Sequence, residues 1–313
     1  MRPVENGVGV AQESGMSGTV IERADSVAAT LNYVEPNASM LRRFVATGQE
    51  VNNYECSLEQ VRIRNARPLR DRLTMDTVGF ELFDHRSAVG DFLDEADVAA
   101  VYPQEAIDLV KSALGATTAF VTNWNLRSTD EGEVEDFKAR GRNERTGRMQ
   151  PPGFQVHIDQ FPDVAERFAR NLYAERVPDG PGFHRFMNLS LWRTFSEPPQ
   201  DQPLALCEFG SFSDEEGLRN ALIFGDSIPP RERMHDPIAG EDMVPAATLF
   251  KYNPGHRWWY YPDMNRDEAI LFKFHDSDQS VAWRVPHTAF VDHSVAHPNV
   301  RKSIELRCTA FFE

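Results

Sequence analysis

From residue 186 onward the chain is a succession of short apolar or alternating runs, each cut off by Pro, Gly, Asp or Asn. They are Phe186 to Trp192, Leu204 to Phe209, Ala247 to Tyr252, Arg257 to Tyr261, Ala269 to Phe274 and Ser303 to Phe312. Runs this short do not build long helical faces, and their turn-rich spacing predicts strands of a sandwich or jelly roll. Upstream, Val27 to Tyr33 reads as an ordered segment, Met75 to Phe83 as a short strand with Val78, Phe80 and Leu82 alternating, and Ala119 to Trp124 as another strand. Tyr102-Pro103-Gln104-Glu105 predicts a helix start with Pro in the first turn, followed by Ala106, Leu109, Val110, Ala113 and Leu114 at helical spacing and closed by Gly115. Asp163 to Glu166 resembles a capping box, with Val164, Phe168 and Leu172 turned inward along a second helix. The expected fold class is therefore α+β, mainly β, with a helical N-terminal part packed on a C-terminal β core.

At 313 residues the chain is long enough for one large domain. Residues 1–18, rich in Gly, Ser and Glu, are expected to form a flexible tail, and 19–313 a single domain. The charged, Gly-containing stretch 128–150 is a candidate lid. A net charge of −15 argues against a nucleic-acid partner, which wants a basic stripe, and against an anionic membrane surface. Cys56, Cys207 and Cys308 are odd in number and far apart, so a disulfide framework is not expected and a cytoplasmic setting fits. No apolar run has the length of a membrane helix, and the N-terminus lacks the apolar core of a signal peptide.

The candidate chemistry centres on Gln155-Val156-His157-Ile158-Asp159, a strand end carrying His-x-Asp. Residues two apart on a strand share a face, so His157 and Asp159 can hold one metal ion together. The plain alternative is a polar strand end facing solvent. His287, opening the β-like run Pro286 to Val291, is the preferred third ligand. His275 beside Asp276 is the runner-up, while His256, His293 and His297 fall in turns. A 2-His-1-carboxylate set leaves positions on iron for a co-substrate and O2.

The last run places Ile304, Leu306, Cys308, Ala310 and Phe312 on one face and Arg301, Ser303, Glu305 and Arg307 on the other. The second set is either a solvent face or one that meets an anion. A dicarboxylate such as 2-oxoglutarate would explain it, since its far carboxylate needs a forked cation. Arg301 and Arg307 lie roughly 20 Å apart along an extended strand, so they do not grip one carboxylate. Arg301, with the Ser303 hydroxyl, is the preferred anchor, and Arg307 a substrate or ion-pair residue. Trp124, Trp192, Trp258, Tyr260 and Trp283 are candidates for a pocket wall or for ordinary core; Arg127 and Arg193 would meet an acidic substrate or a surface carboxylate.

With these residues in view, the chain resembles the hydroxylase/desaturase family that includes the cephem 7α-methoxylase component and fungal AsaB-type proteins, among the non-haem iron, 2-oxoglutarate-dependent oxygenases. The resemblance covers nearly all of 27–313. It is carried by Ala29 to Tyr33, Gly79 to Leu82, Val156 to Gln160, Leu191-Trp192-Arg193, Pro203 to Cys207, Asn253 to Trp258 and Pro262-Asp263-Met264. Its most specific blocks are Pro286 to Phe290 and Arg301 to Arg307. It implies a double-stranded β-helix (jelly-roll, cupin-like) core with flanking helices. It also implies Fe(II) on His157, Asp159 and His287, 2-oxoglutarate on the strand of Arg301, Ser303 and Arg307, and O2 as oxidant. The implied activity is oxidation of an unactivated C–H of a small natural-product or amino-acid-derived substrate by hydroxylation, desaturation or oxidative ring formation, with release of succinate and CO2. A monomer or homodimer acting in a cytoplasmic biosynthetic pathway is expected. Two departures stand out: His275 in Phe274-His275-Asp276-Ser277, and the stretch Met234 to Met243. Two rival classes are a cupin-like metal-dependent hydrolase or isomerase, which has no use for Arg301, and a non-catalytic jelly-roll binding protein, which needs no metal.

Overall fold

The computed structural model describes residues 24–46, 49–134 and 149–313. The expected tail over 1–18 and most of the candidate lid over 128–150 lie outside the described residues. The chain opens with four strands, β1 (Ser26–Val34), β2 (Leu41–Ala46), β3 (Gln49–Asn52) and β4 (Cys56–Asn65). Then come β5 (Phe80–Asp84), α1 (Glu95–Leu114), β6 (Thr118–Ser128), β7 (Met149–Gln150), β8 (His157–Ile158) and α2 (Pro162–Arg176). The rest is β9 (Arg185–Thr194), β10 (Leu204–Cys207), β11 (Gly217–Phe224), β12 (Ala246–Phe250), β13 (Trp258–Tyr260), β14 (Glu268–Asp276), β15 (His287–Ala289) and β16 (Lys302–Phe312).

These strands form two sheets. One has ten strands in the order β1-β4-β13-β10-β15-β8-β12-β11-β2-β3; the other has six, β5-β14-β9-β16-β6-β7. Their facing surfaces make the jelly-roll core. Leu31, Ile63, Leu206, Phe250 and Trp258 of the large sheet are buried in one cluster with Phe80, Leu82, Trp192, Ile270 and Phe272 of the small one. Each such side chain contributes roughly 1.5–3 kcal/mol by leaving water. The outer face of the small sheet, with Leu189, Leu191, Leu271, Ile304 and Leu306, is covered by Val98, Tyr102, Ala106 and Val110 of α1. Period-2 alternation along β16 therefore sends Ile304 and Leu306 to the helix and Ser303 and Glu305 into the space between the sheets.

The N-terminal part supplies the flanking helices α1 and α2, as expected, but it opens with the strands β1–β4 ahead of them. Two of its strands are hard to read: β3 is an exposed edge strand, and β4, between β1 and β13, fully buries only Ile63. Helix α1 starts well before Pro103. Asp94 is its N-cap, accepting from the Ala96 N–H at 2.9 Å, and Glu95 and Asp97 place negative charge in the first turn. Pro103 thus sits inside the helix, while Gly115 closes it in the left-handed conformation as expected. In α2 the Asp163–Glu166 capping box does not form; Phe161 occupies the N-cap and Pro162 the first turn. The buried positions are Ala165, Ala169, Leu172 and Tyr173, so Phe168 is exposed rather than inward. The alternation from Met75 becomes a strand only at Phe80, because Gly79 interrupts it at φ 87°.

Gly79 links the fold to the region around His287. A Cβ built there would lie 2.5 Å from Val285 Cγ2, and the Val285 carbonyl holds the His287 ring. A Gly79→Ala variant is expected to lose about 1–3 kcal/mol of stability through positive-φ strain and overpacking, read as a lowered urea midpoint with unchanged slope.

Candidate metal centre

β8 is only two residues long, yet it is held on both sides. Leu249 of β12 and His287 of β15 both pair opposite His157. The His157 and His287 rings consequently sit 4.3 Å apart, centre to centre. Asp159 follows at the strand end. The ligand atoms of His157, Asp159 and His287 all lie within 4.8 Å of one another. Asp159 Oδ1 is 3.1 Å from His157 Nε2 and 3.8 Å from His287 Nε2.

The tautomers follow from the backbone. His157 Nδ1 is 2.7 Å from the Gln155 carbonyl and His287 Nδ1 is 3.2 Å from the Val285 carbonyl. A carbonyl only accepts, so both Nδ1 atoms carry a proton, and the Nε2 atom of each ring is the one turned to Asp159 Oδ1. Each ring is fixed by the residue two positions before it, the kind of support that orients metal-binding imidazoles. Burial, with His157 beside it, pushes His287 down to about 4, so its imidazole is neutral at neutral pH. Two imidazoles and one carboxylate are a donor set that fits iron.

Asp159 Oδ2 faces away from the rings and is ion-paired with Arg307 Nη2 at 2.5 Å. The same Nη2 donates to Glu305 Oε1 at 2.9 Å. Glu305 Oε2 accepts from Arg127 Nε and Nη2 at 3.1 and 3.0 Å. Arg127, Glu305, Arg307 and Asp159 thus form an alternating chain of charges across β6, β16 and the end of β8. Burial alone would raise the Asp159 and Glu305 carboxyls. Arg307 and His157 hold Asp159 well below the usual carboxylate range, and Arg307 and Arg127 lower Glu305. The chain keeps the inner Asp159 oxygen charged and aimed at the imidazoles.

Two cavities meet at this centre. The smaller, of about 360 Å³, runs from His157 and His287 past Phe272 and Leu204 to Trp192 and Arg301. Arg301 is 2% exposed. It donates through Nη1 to the Gln202 carbonyl at 2.7 Å and lies over the Trp192 ring at 5.6 Å, while its Nε has no partner. Burial and the nearby Arg127 lower it to about 9, so it remains a buried cation with an unused donor. Ser303 Oγ is buried without a partner on the same face of β16 but does not line this cavity. Arg307 is not on that wall either; it lines the larger cavity, beside Asp159. The polar face of β16 is therefore no solvent face, since Arg301, Ser303 and Glu305 are all buried.

Other candidates fall elsewhere. His275 does not join the metal centre; it is 1% exposed, stacked on Phe186 and edge-on to Trp283, with neither ring nitrogen hydrogen-bonded. His256 binds Glu216 and the Tyr33 hydroxyl. Arg193 meets no carboxylate: it donates to the Tyr102 hydroxyl and the carbonyls of His85 and Arg266. Of the five aromatic candidates, only Trp192 lines either cavity. Trp258 is core, with its N–H on the Tyr33 hydroxyl. Sequence reasoning left the roles of Glu305 and Arg127 open, because their pairing depends on the β6–β16 register, which no single strand reveals.

A family model described as an oxidoreductase/YMDC permease-like domain matches residues 31–311. The chain is 41% identical over 133 residues to the hydroxylase/desaturase asaB of Aspergillus flavus, a match spanning 41% of this chain and 56% of that protein. It is 28% identical over 304 residues to the hydroxylase/desaturase efuI of Hormonema carpetanum, covering 94% of this chain and 98% of that one. The solved structure of the iron and alpha-ketoglutarate-dependent endoperoxidase NvfI has a similar fold, with a TM-score of 0.73 at 22% identity over 92% of this chain and 98% of that one.

Burial pushes His275 down to about 4. The unfolded chain therefore binds more protons than the folded one between pH 6.5 and 4, and stability falls as pH falls through that window. His275→Phe is expected to leave metal affinity unchanged and to reduce the stability lost between pH 7 and pH 5 by roughly 2 kcal/mol, measured by urea unfolding at both pH values.

Proposed function

The chain belongs to the oxidoreductase/YMDC permease-like family, and from that premise we propose that it is an Fe(II)/2-oxoglutarate-dependent oxygenase acting on a small molecule. Relatives carry the names hydroxylase/desaturase and alpha-ketoglutarate-dependent dioxygenase, and the chemistry of the site fits them. The observation that carries the reading is the small cavity that begins at His157 and His287 and ends at the buried Arg301. A metal-only hydrolase has no task for such a cation, and a non-catalytic binding protein has none for the three converging metal-ligand side chains.

On this reading His157, Asp159 and His287 hold iron, and Arg301 takes the far carboxylate of 2-oxoglutarate. Together with O2, these cofactors supply the oxidative decarboxylation to succinate and CO2 that drives oxidation of an unactivated C–H by hydroxylation, desaturation or ring formation. The protein's own part is placement. Trp192 stacks under Arg301 and limits the directions its fork takes. Glu305 occupies Arg127 and Arg307, which leaves Arg301 as the arginine of the small cavity with a donor to spare. Ser303, whose hydroxyl has no protein partner, lies on the same face of β16 but off the small cavity's wall, so the anchor role falls to Arg301. Phe272 and Phe274 pack against His287 and keep water from its far side. Residues 19–313 act as one catalytic domain, because both sheets line the site. A monomer or homodimer in the cytoplasm, with no nucleic-acid partner, completes the reading; no helix among the described residues is long and apolar enough to cross a membrane.

Arg301→Ala removes a charge-assisted contact worth about 3 kcal/mol. It is expected to raise the 2-oxoglutarate concentration needed for half-maximal succinate formation roughly a hundredfold, with iron affinity retained. An unchanged requirement for 2-oxoglutarate in this variant would overturn the assignment.

A further inference from the structure

The second cavity, about 2,700 Å³ with its open mouth, is bounded by both sheets and α2 and has His157 and Asp159 on its floor. We propose that this chamber takes an uncharged, oxygenated molecule on an apolar scaffold and rejects free carboxylates, amines and zwitterions. Only the step of calling that molecule the substrate rests on the oxygenase reading above.

The charges on the wall come first. Among the described residues the chamber is lined by the cations Arg43, Arg127 and Arg307 and by the anions Glu50 and Asp159, besides His157. Each cation has an anion beside it, with only Arg307 Nε and Glu50 Oε2 left without a hydrogen-bond or ion-pair partner. Arg43 Nε donates to Glu50 Oε1 at 2.7 Å, Arg127 is held by Glu305, and Arg307 bridges Asp159 and Glu305. A charged guest would have to break one of these pairs or enter without a counter-charge, and either is unfavourable away from water. Pairing of this kind is a means of rejecting the wrong ligand as well as a structural feature.

The neutral part of the wall says what is accepted. Carboxamides recur around the floor: Gln150 donates to Asn125 Oδ1 at 3.0 Å, and Asn188 to Gln160 Oε1 at 2.7 Å. Asn220 comes from the opposite sheet. A carboxamide offers both donor and acceptor and meets hydroxyl, carbonyl or amide groups without needing charge. At the outer end stand Phe154, Phe168 and Phe224, 39%, 36% and 45% exposed, from a loop, α2 and β11. They are the only strongly exposed phenylalanines among the described residues, and all three belong to this chamber. Exposed apolar surface gathered at one cavity marks a place where an apolar partner sits. Leu222, Leu249 and Phe274 continue that surface inward.

The test uses the full chain loaded with Zn(II) and 2-oxoglutarate, so that Arg301 is engaged and turnover is absent. Two matched pairs serve as probes: the neutral cyclo(Leu-Phe) against the zwitterion Leu-Phe, and methyl abietate against abietate. Dissociation constants are read by ligand-observed NMR for wild type, for Ala247→Trp, which fills the chamber, and for Glu50→Gln, which releases Arg43. The neutral member of each pair is expected to bind on the order of tenfold more tightly, the scale set by one charge left without a partner. That binding is expected to vanish in Ala247→Trp, and Glu50→Gln is expected to improve abietate alone by about tenfold. Equal or tighter binding of the charged members, neutral binding that survives Ala247→Trp, or its absence altogether overturns the proposal. So does a Glu50→Gln protein with unchanged preference. Binding rather than turnover is measured, so a wrong oxygenase reading would appear as failure to bind 2-oxoglutarate while the neutral preference of the chamber stood.

Discussion

One register pairing organises the centre of this molecule: His287 of β15 opposite His157 of β8. It places two imidazoles side by side, and each ring is then fixed by the carbonyl two residues behind it. Neither strand is long enough to persist alone. β8 is caught between β12 and β15, and β15 between β8 and β10. The local geometry of the site is therefore a product of the whole ten-stranded sheet. This explains why so large a core surrounds so small a set of polar atoms.

The second organising feature is the two-faced strand β16. Its apolar face is spent against α1, which forces Arg301, Ser303, Glu305 and Arg307 into the space between the sheets. Buried charges are tolerated only when paired and hydrogen-bonded. Here the pairs run Arg127–Glu305–Arg307–Asp159, and Arg301 stands outside them with its Nε unpartnered and no carboxylate on its guanidinium among the described residues. Among the described residues, each cation lining the large cavity has an anion beside it. Two neighbouring cavities thus differ in the charge they accept although they share Arg127, Gly153 and His157 as walls.

Much of this was legible in the chain. The strands after residue 186 were readable because alternation and Pro/Gly punctuation are local signals, and the convergence of His157, Asp159 and His287 because the order of such residues along strands is itself informative. The β1–β4 region is less readable, since β4, although flanked by β1 and β13, fully buries only Ile63 and so carries little apolar alternation. The start of α1 was misjudged because Pro103 imitates a first-turn proline while the effective cap is Asp94. His275 reads as the runner-up ligand because it stands beside Asp276 at a strand end; in space its ring packs on Phe186 and Trp283. The Arg127–Glu305 pair depends on cross-strand register, and tertiary register is not written in any one segment.

The central claim is that His157, Asp159 and His287 hold an iron ion to which 2-oxoglutarate is delivered from the Arg301 side. Anaerobic titration of the protein with Fe(II) and then 2-oxoglutarate tests it most directly, because chelation of iron by a 2-oxo acid produces a weak visible charge-transfer band. The account predicts that band in the wild-type protein and its loss in His157→Ala. A wild-type protein that binds iron but never develops the band, or one whose band survives His157→Ala, would contradict it.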